Sequence, residues 1–183
     1  HLWWDFLAAQ GKKHKVYYRT LLKLTCEKHY TLANLLISFY KWYSKNVNKS
    51  VIKENITIDD IVFMAKKQSE MEEAEFKLSV VVPNYNYEKF LYQRIYSILY
   101  QKEKISELII LDDCSKDNSR ELIDEIVEKT KDYINIKKVY NEINSGTAFK
   151  QWEKGFKEAT GDYVWIAEAD DYCDNKFLKT VLK

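Results

Sequence analysis

The chain has 183 residues, 46% hydrophobic and 31% charged, which is ordinary for a soluble globular protein with a core of one domain or one and a part. A formal net charge of +1 supplies no global field for nucleic acid, so no nucleic-acid partner is expected. Cys26, Cys114 and Cys173 are odd in number and lie outside any Cys/His ligand spacing, which argues against structural zinc and a disulfide framework and fits a reducing, cytoplasmic compartment.

Residues 1–75 read as helical and slightly basic, with 12 Lys/Arg against 9 Asp/Glu, a surplus too small to imply an anionic partner. In "TLANLLISFYKWYSK", Leu32, Leu35, Ile37, Phe39 and Trp42 fall near helical spacing. "TIDDIVFMAKKQSEMEEAE" offers Thr57 as N-cap, with Asp59 and Asp60 favourably placed in the first turn. "EMEEAEFK" reads as the polar end of a linker helix, so the expected division is a helical region at 1–75 and a second unit at 76–183. No signal peptide opens the chain, and no apolar run approaches the ~20 residues that span a bilayer. The start at His1 and the stop within "FLKTVLK" read as an excerpt from something longer.

From residue 77 the pattern alternates. "LSVVVP" is a continuous apolar strand ended by the chain's single proline, and "YEKFLYQRIYSILYQ" follows with helical periodicity. "ELIILDD" is a second strand, and "DNSRELIDEIVEKTKDY" a helix with Asn118 and Glu121 at capping-box spacing. "INIKKVYN" is a third strand, "TAFKQWEKGFKEAT" a helix closed by Gly161, "DYVWIA" a fourth strand, and a last helix starts near Asp174. Continuous apolar strands alternating with helices predict an α/β fold, a mostly parallel sheet covered on both faces.

Ligands of open α/β sheets bind beyond the carboxyl ends of the strands. Polar residues gather at each such end here: "PNYN", "DDCSKDNS", "NEINSG" and "EADDYCD". Any one alone is an ordinary turn, because Asn, Asp, Ser and Gly supply turn geometry. Four together, two with adjacent aspartates, indicate a site. The four glycines form neither a G-x-G-x-x-G nor a P-loop, so phosphates bound here would need a cation held by carboxylates. Asp170 and Asp171 supply the oxygen ligands that Mg²⁺ and Mn²⁺ prefer. A phospho-receiver domain also carries an acidic pair at a strand end, but its phospho-accepting Asp two strands later and its following Lys have no counterpart here.

"LSVVVPNYNYEKFLYQRIYSILYQ", "ELIILDDCSKDNS" and "NEINSGTAFKQWEKGFKEATGDYVWIAEADDYCD" together resemble the family 2 glycosyltransferases, inverting enzymes of GT-A fold, over about residues 77–183. The resemblance implies that Pro83 and Tyr85 line a nucleotide site, with the Tyr85 ring against the base, and that Asp113 accepts the N3–H of uracil or thymine. It implies that Asp170 and Asp171 hold the ribose and a Mn²⁺ or Mg²⁺ ion between them, and that Lys150 reaches the diphosphate. The donor would be an NDP-sugar, UDP- or dTDP-linked. The acceptor would be a glycan or lipid-linked hydroxyl in bacterial surface polysaccharide synthesis, at the inner face of the plasma membrane through peripheral association of the parent protein. The general base and acceptor site are expected beyond Lys183. Two positions depart from the family pattern: Glu168 stands where Asp is common, and Trp152 lies in "FKQWEKG", which replaces an Arg-Asn pair, so Trp152 is read as packing. The alternative reading is a non-catalytic nucleotide- or partner-binding module; sugar-nucleotide synthesis would need a Gly-rich basic loop, which "PNYNYEK" is not.

Overall fold

A computed structural model describes residues 55–182. The expectations for the segment before Asn55 lie outside the described residues. The elements are α1 (Ile58–Ser69), β1 (Leu78–Asn84), α2 (Glu88–Leu99), β2 (Glu107–Asp112), α3 (Ser119–Thr130), β3 (Ile136–Tyr140), α4 (Ala148–Glu158), β4 (Tyr163–Ile166) and α5 (Phe177–Val181). The four strands form one sheet in the order β3-β2-β1-β4, parallel at every pairing. The α/β reading of the sequence is therefore correct.

Period-two alternation divides the strand side chains between two layers. Val80, Val82, Leu108, Ile110 and Trp165 face α1, α2 and α3 in the larger core, whereas Val81, Ile109, Leu111, Val164 and Ile166 face α4. Every residue of β1 and β2 is buried, as expected of central strands covered on both sides. The edge strand β3 is less covered, and its Lys137 and Lys138 are exposed.

Thr57 caps α1 in an extended conformation, and the Asp60 carboxylate accepts from the Thr57 N–H and Oγ1, both at 3.0 Å. Ile61, Met64, Ala65 and Gln68 fall on one helical face and are buried. Gln68 Nε2 donates to the carbonyls of Leu99 (3.1 Å) and Gln101 (3.2 Å), while its Oε1 accepts from Ile105 N–H at 3.0 Å. This helix thus packs into the same core as the sheet. It ends at Ser69, and "EMEEAEFK" is not helical, because its apolar positions supply no continuing stripe.

Two further local differences have physical reasons. Asn118 makes no side-chain cap; Asp117 does the work instead, its Oδ1 accepting from Ser119 N–H (3.1 Å) and its Oδ2 from Glu88 N–H (3.0 Å). Gly161 does not form the turn of α4, which ends at Glu158. A Cβ on Gly161 would lie 2.7 Å from the Lys77 carbonyl and 2.9 Å from Ser79 N, so the glycine permits close approach to β1. Beside it, Glu107 Oε1 accepts from Ser79 Oγ (2.6 Å), Thr160 N–H (2.7 Å) and Thr160 Oγ1 (2.9 Å). Burial alone would raise this carboxyl's pKa; the three donors and the Lys137 charge outweigh burial and hold it below its usual range.

Candidate functional site

The loops that follow the strands meet at one edge of the sheet and are laced together by side chains. After β1, Asn86 adopts φ 58° and after β2, Cys114 adopts φ 65°; both lie in the left-handed region. Ser115 Oγ accepts from the Asn86 N–H (2.9 Å) and from Asn84 Nδ2 (3.2 Å), and Asn86 Oδ1 accepts from Lys116 N–H (2.7 Å). Glu88 Oε2 accepts from Asn118 N–H at 2.6 Å. Burial raises the Asp117 pKa, but its bonds to Ser119 and the Glu88 N–H dominate and hold it below the usual carboxylate range. These contacts spend side-chain polarity on fixing two loops whose backbones are otherwise irregular.

Asp112 closes β2 and is fully buried. Its Oδ1 accepts from Arg120 Nε at 2.6 Å and from Ser115 N–H at 3.1 Å, and its Oδ2 accepts from Asn84 Nδ2 at 3.0 Å. Arg120 also donates to the Asn141 carbonyl (2.5 Å) and lies over the Tyr140 ring at 4.9 Å, joining β2 to the end of β3. The hydrogen bond to Asp112 raises the Arg120 pKa and keeps the guanidinium charged.

Asp113 is the hub. It is 5% exposed, and its N–H donates to the Asn84 carbonyl at 2.9 Å, which places it against the residue preceding Tyr85. Its Oδ1 accepts from Asn141 Nδ2 (2.6 Å), Ser145 N–H (2.8 Å) and Gln151 Nε2 (2.8 Å), and its Oδ2 accepts from Ser145 Oγ (2.8 Å). Asn144 Nδ2 donates to its carbonyl at 3.0 Å. The turn that follows β3 bends at Gly146, φ 83°, and Asn144 Oδ1 accepts the Gly146 N–H at 2.8 Å. Lys150 Nζ donates to the Ser145 carbonyl at 3.0 Å, and Lys154 Nζ to Asn141 Oδ1 at 2.5 Å. Asn84 Oδ1 and Gln151 Oε1 are buried acceptors with no donor among the described residues. An unmet buried acceptor costs about 1–3 kcal/mol.

The fourth strand supplies the acidic turn. Ala167 N–H donates to the Val81 carbonyl at 2.7 Å, extending the β4–β1 ladder by one residue. Asp171 N–H donates to the Glu168 carbonyl at 3.1 Å, which closes the turn carrying Asp170, exposed, and Asp171, half-buried. Glu168 is buried and accepts from Trp152 Nε1 at 2.8 Å. Cys173 lies behind the turn, and burial pushes its thiol up to about 11, so it is no nucleophile at neutral pH.

Of the six sequence-derived site residues, Pro83, Tyr85, Asp113 and Lys150 therefore sit in or beside one connected cluster of strand-end loops. Pro83 is buried opposite Leu111 of β2, and the Tyr85 side chain is exposed just past β1. Asp170 and Asp171 occupy the neighbouring turn after β4. Asn141, Ser145 and Gln151 went unassigned in the sequence, because their convergence on Asp113 depends on loops that are distant in sequence. The Asn-Ser-Gly signal at 144–146 marked a turn without saying what it would hold. Among the described residues there is no group of three or more His, Cys, Asp or Glu side chains that could hold a metal ion. Nor is any helix among them long and apolar enough to cross a membrane.

The model of glycosyl transferase family 2 matches residues 79–183. Over 105 residues the chain is 35% identical to the poly(ribitol-phosphate) beta-N-acetylglucosaminyltransferase TarS of Staphylococcus aureus, covering 56% of this chain and 18% of the relative. The putative teichuronic acid biosynthesis glycosyltransferase TuaG of Bacillus subtilis is 36% identical over 94 residues, 51% of this chain and 36% of the relative. The chain thus spans well under two thirds of the length of these relatives. The crystal structure of S. aureus TarS 1-349 in complex with UDP-GlcNAc superposes with a TM-score of 0.51 at 32% identity, covering 58% of this chain and 30% of that one. A mannosyltransferase from Pyrobaculum calidifontis in complex with GDP-Man and Mn²⁺ superposes with a TM-score of 0.53 at 19% identity, covering 66% and 38%, and supports the GT-A fold alone. With its parallel sheet, its strand-end loops and a family match over more than half its length, this chain belongs to glycosyltransferase family 2 and has the GT-A fold.

Proposed function

We propose that the chain is the donor-binding part of an inverting glycosyltransferase, taking a UDP- or dTDP-linked sugar for transfer to an acceptor hydroxyl in bacterial surface polysaccharide. The carrying observation is the turn after β4, where Asp170 and Asp171 stand together beside the loops organised around Asp113. The TarS likeness, at 32% identity to a structure holding UDP-GlcNAc, supports the donor class.

Adjacent carboxylates at Asp170 and Asp171 suit Mn²⁺ or Mg²⁺, hard cations that complete their shell with phosphate oxygens and water. Asp170 and Asp171 would hold that ion, which when bound balances negative charge on the departing nucleoside diphosphate. The exposed Tyr85 ring offers a face for the base. Asp113 has a remaining acceptor site on Oδ2 for an imide N–H, since a carboxylate offers about four lone-pair sites across two oxygens. Lys150, now bonded to the Ser145 carbonyl, is within the cluster and carries the charge that a diphosphate would attract.

Calorimetry of the full-length protein with UDP, dTDP and GDP, each with and without Mn²⁺, tests this reading. Metal-dependent binding of a uracil or thymine nucleotide is expected, with the metal-dependent part abolished by Asp171→Ala. Equal affinity with and without metal, or no nucleotide binding at all, would refute it and favour a non-catalytic module.

A further inference from the structure

Two residues that the family pattern left without a role turn out to touch. The Trp152 indole N–H donates to Glu168 Oε1 at 2.8 Å, and both side chains are buried. Their meeting follows from strand alternation: Val164 and Ile166 point to the α4 layer, and Glu168, two residues further, continues on that side. Packing fixes the donor. The Trp152 ring sits in the apolar cluster of Val81, Ile109, Leu111, Val164 and Ile166, and meets Phe149 edge-on at 4.9 Å. An indole has a single N–H and no acceptor, so the indole can enter this pair only as the donor.

The same Glu168 holds the acidic turn through its main chain, its carbonyl accepting the Asp171 N–H at 3.1 Å. A continuous path therefore runs from α4, through the Glu168 side chain, to the backbone of Asp171. We propose that Trp152 is a positioning residue: by anchoring Glu168 it fixes the turn that presents Asp170 and Asp171, and Glu168 is the anchor of that turn and not a cation ligand. The longer Glu side chain then has a use, since the carboxylate must reach back to α4. The cation half of this inference rests on the function proposed above, whereas the turn half stands without it.

Hydrogen–deuterium exchange of the peptide spanning 167–173, in the full-length protein, reads the turn without any metal. Trp152→Phe keeps the aromatic packing and deletes the donor. The Asp171 amide should then exchange roughly tenfold faster, the loss expected for one hydrogen bond to a charged group. Glu168→Ala should do the same from the other end, which keeps the test alive if the tryptophan variant folds poorly. Glu168→Gln retains a carbonyl acceptor for the indole and should restore near wild-type exchange. Binding of Mn²⁺ with UDP, followed by the electron paramagnetic resonance signal of free Mn²⁺, should weaken in Trp152→Phe and stay within about threefold of wild type in Glu168→Gln, because only the former loses the anchoring bond. Unchanged Asp171 exchange in both Trp152→Phe and Glu168→Ala would overturn the proposal. So would the opposite order of Mn²⁺ affinities, with Glu168→Gln as defective as Asp171→Ala and Trp152→Phe intact, since that makes Glu168 a ligand. A wild-type protein that binds no Mn²⁺ with UDP would sink the proposed function, leaving the exchange result to decide the positioning role.

Discussion

Asp113 carries two assignments that substitution can separate. As a structural hub it accepts four hydrogen bonds, from Asn141 Nδ2, Ser145 N–H, Gln151 Nε2 and Ser145 Oγ, all at 2.8 Å or less. Asp113→Ala leaves those four donors without their acceptor in a largely buried place. Hydrogen bonds to charged groups contribute about 1.5–3 kcal/mol each, but neighbouring losses overlap, so roughly 3–5 kcal/mol of stability should go. Against a total of about 5–15 kcal/mol for an ordinary domain, this variant would fold marginally and bind nucleotide poorly for a trivial reason. Asp113→Asn is the informative change. Its amide oxygen can still accept the three Oδ1 bonds, and the Ser145 hydroxyl can turn to accept from the new NH₂ group. Stability should therefore fall by only about 1 kcal/mol. The new group donates where an imide N–H needs an acceptor, so UDP affinity should nevertheless drop at least tenfold, roughly what one mismatched hydrogen bond costs. Urea denaturation gives the first quantity and UDP titration the second. If Asp113→Asn binds UDP as wild type does, the residue is a scaffold alone and does not read the base. If Asp113→Ala is as stable as wild type, the hub itself is wrong.

Two further outcomes test the fold that positions the site. Gly161→Ala places a methyl against the Lys77 carbonyl and Ser79 N, backbone atoms at the start of β1 that cannot rotate away, and should cost about 2 kcal/mol or more; a melting temperature equal to wild type would refute the close-approach reading. A chain starting at Lys77 loses the buried Ile61, Met64 and Ala65 together with the Gln68 bonds, roughly 3–6 kcal/mol, and should melt well below one starting at Asn55; equal melting would place α1 outside the cooperative unit.

The strands were legible because they are continuous apolar runs, and the strand ends were legible because Asn, Asp, Ser and Gly cluster where such runs stop. Asp170 and Asp171 stand out as candidates for the same reason, whereas Asp113 is singled out only through the family resemblance. What could not be read was the wiring between loops. Gln151 reaches Asp113 across 38 positions, and Trp152 reaches Glu168 across 16, separations with no periodic signature. Local grammar also misled where tertiary partners took over. Asn118 has capping-box spacing to Glu121, yet its N–H is held by Glu88 and the capping acceptor is Asp117. Gly161 stands where a helix terminator would stand, yet β1 is what requires it.

Seen from α4, the two departures from the family pattern become one arrangement. Consecutive residues of this helix take hold of different loops: Gln151 holds Asp113 after β2, and Trp152 holds Glu168 after β4. Those strands flank β1 on opposite sides, so the helix spans the middle strand to reach both. It can do so only by lying close to β1, and Gly155 permits this: a Cβ there would come within 2.4 Å of Val81 Cγ1. Gly155 lies one turn beyond Gln151, which puts the close contact and the Asp113 contact on one face of the helix. Displacing α4 from the sheet would therefore loosen the loop after β2 and the acidic turn after β4 together. The two halves of the proposed site are thus coupled through one helix and its packing on β1.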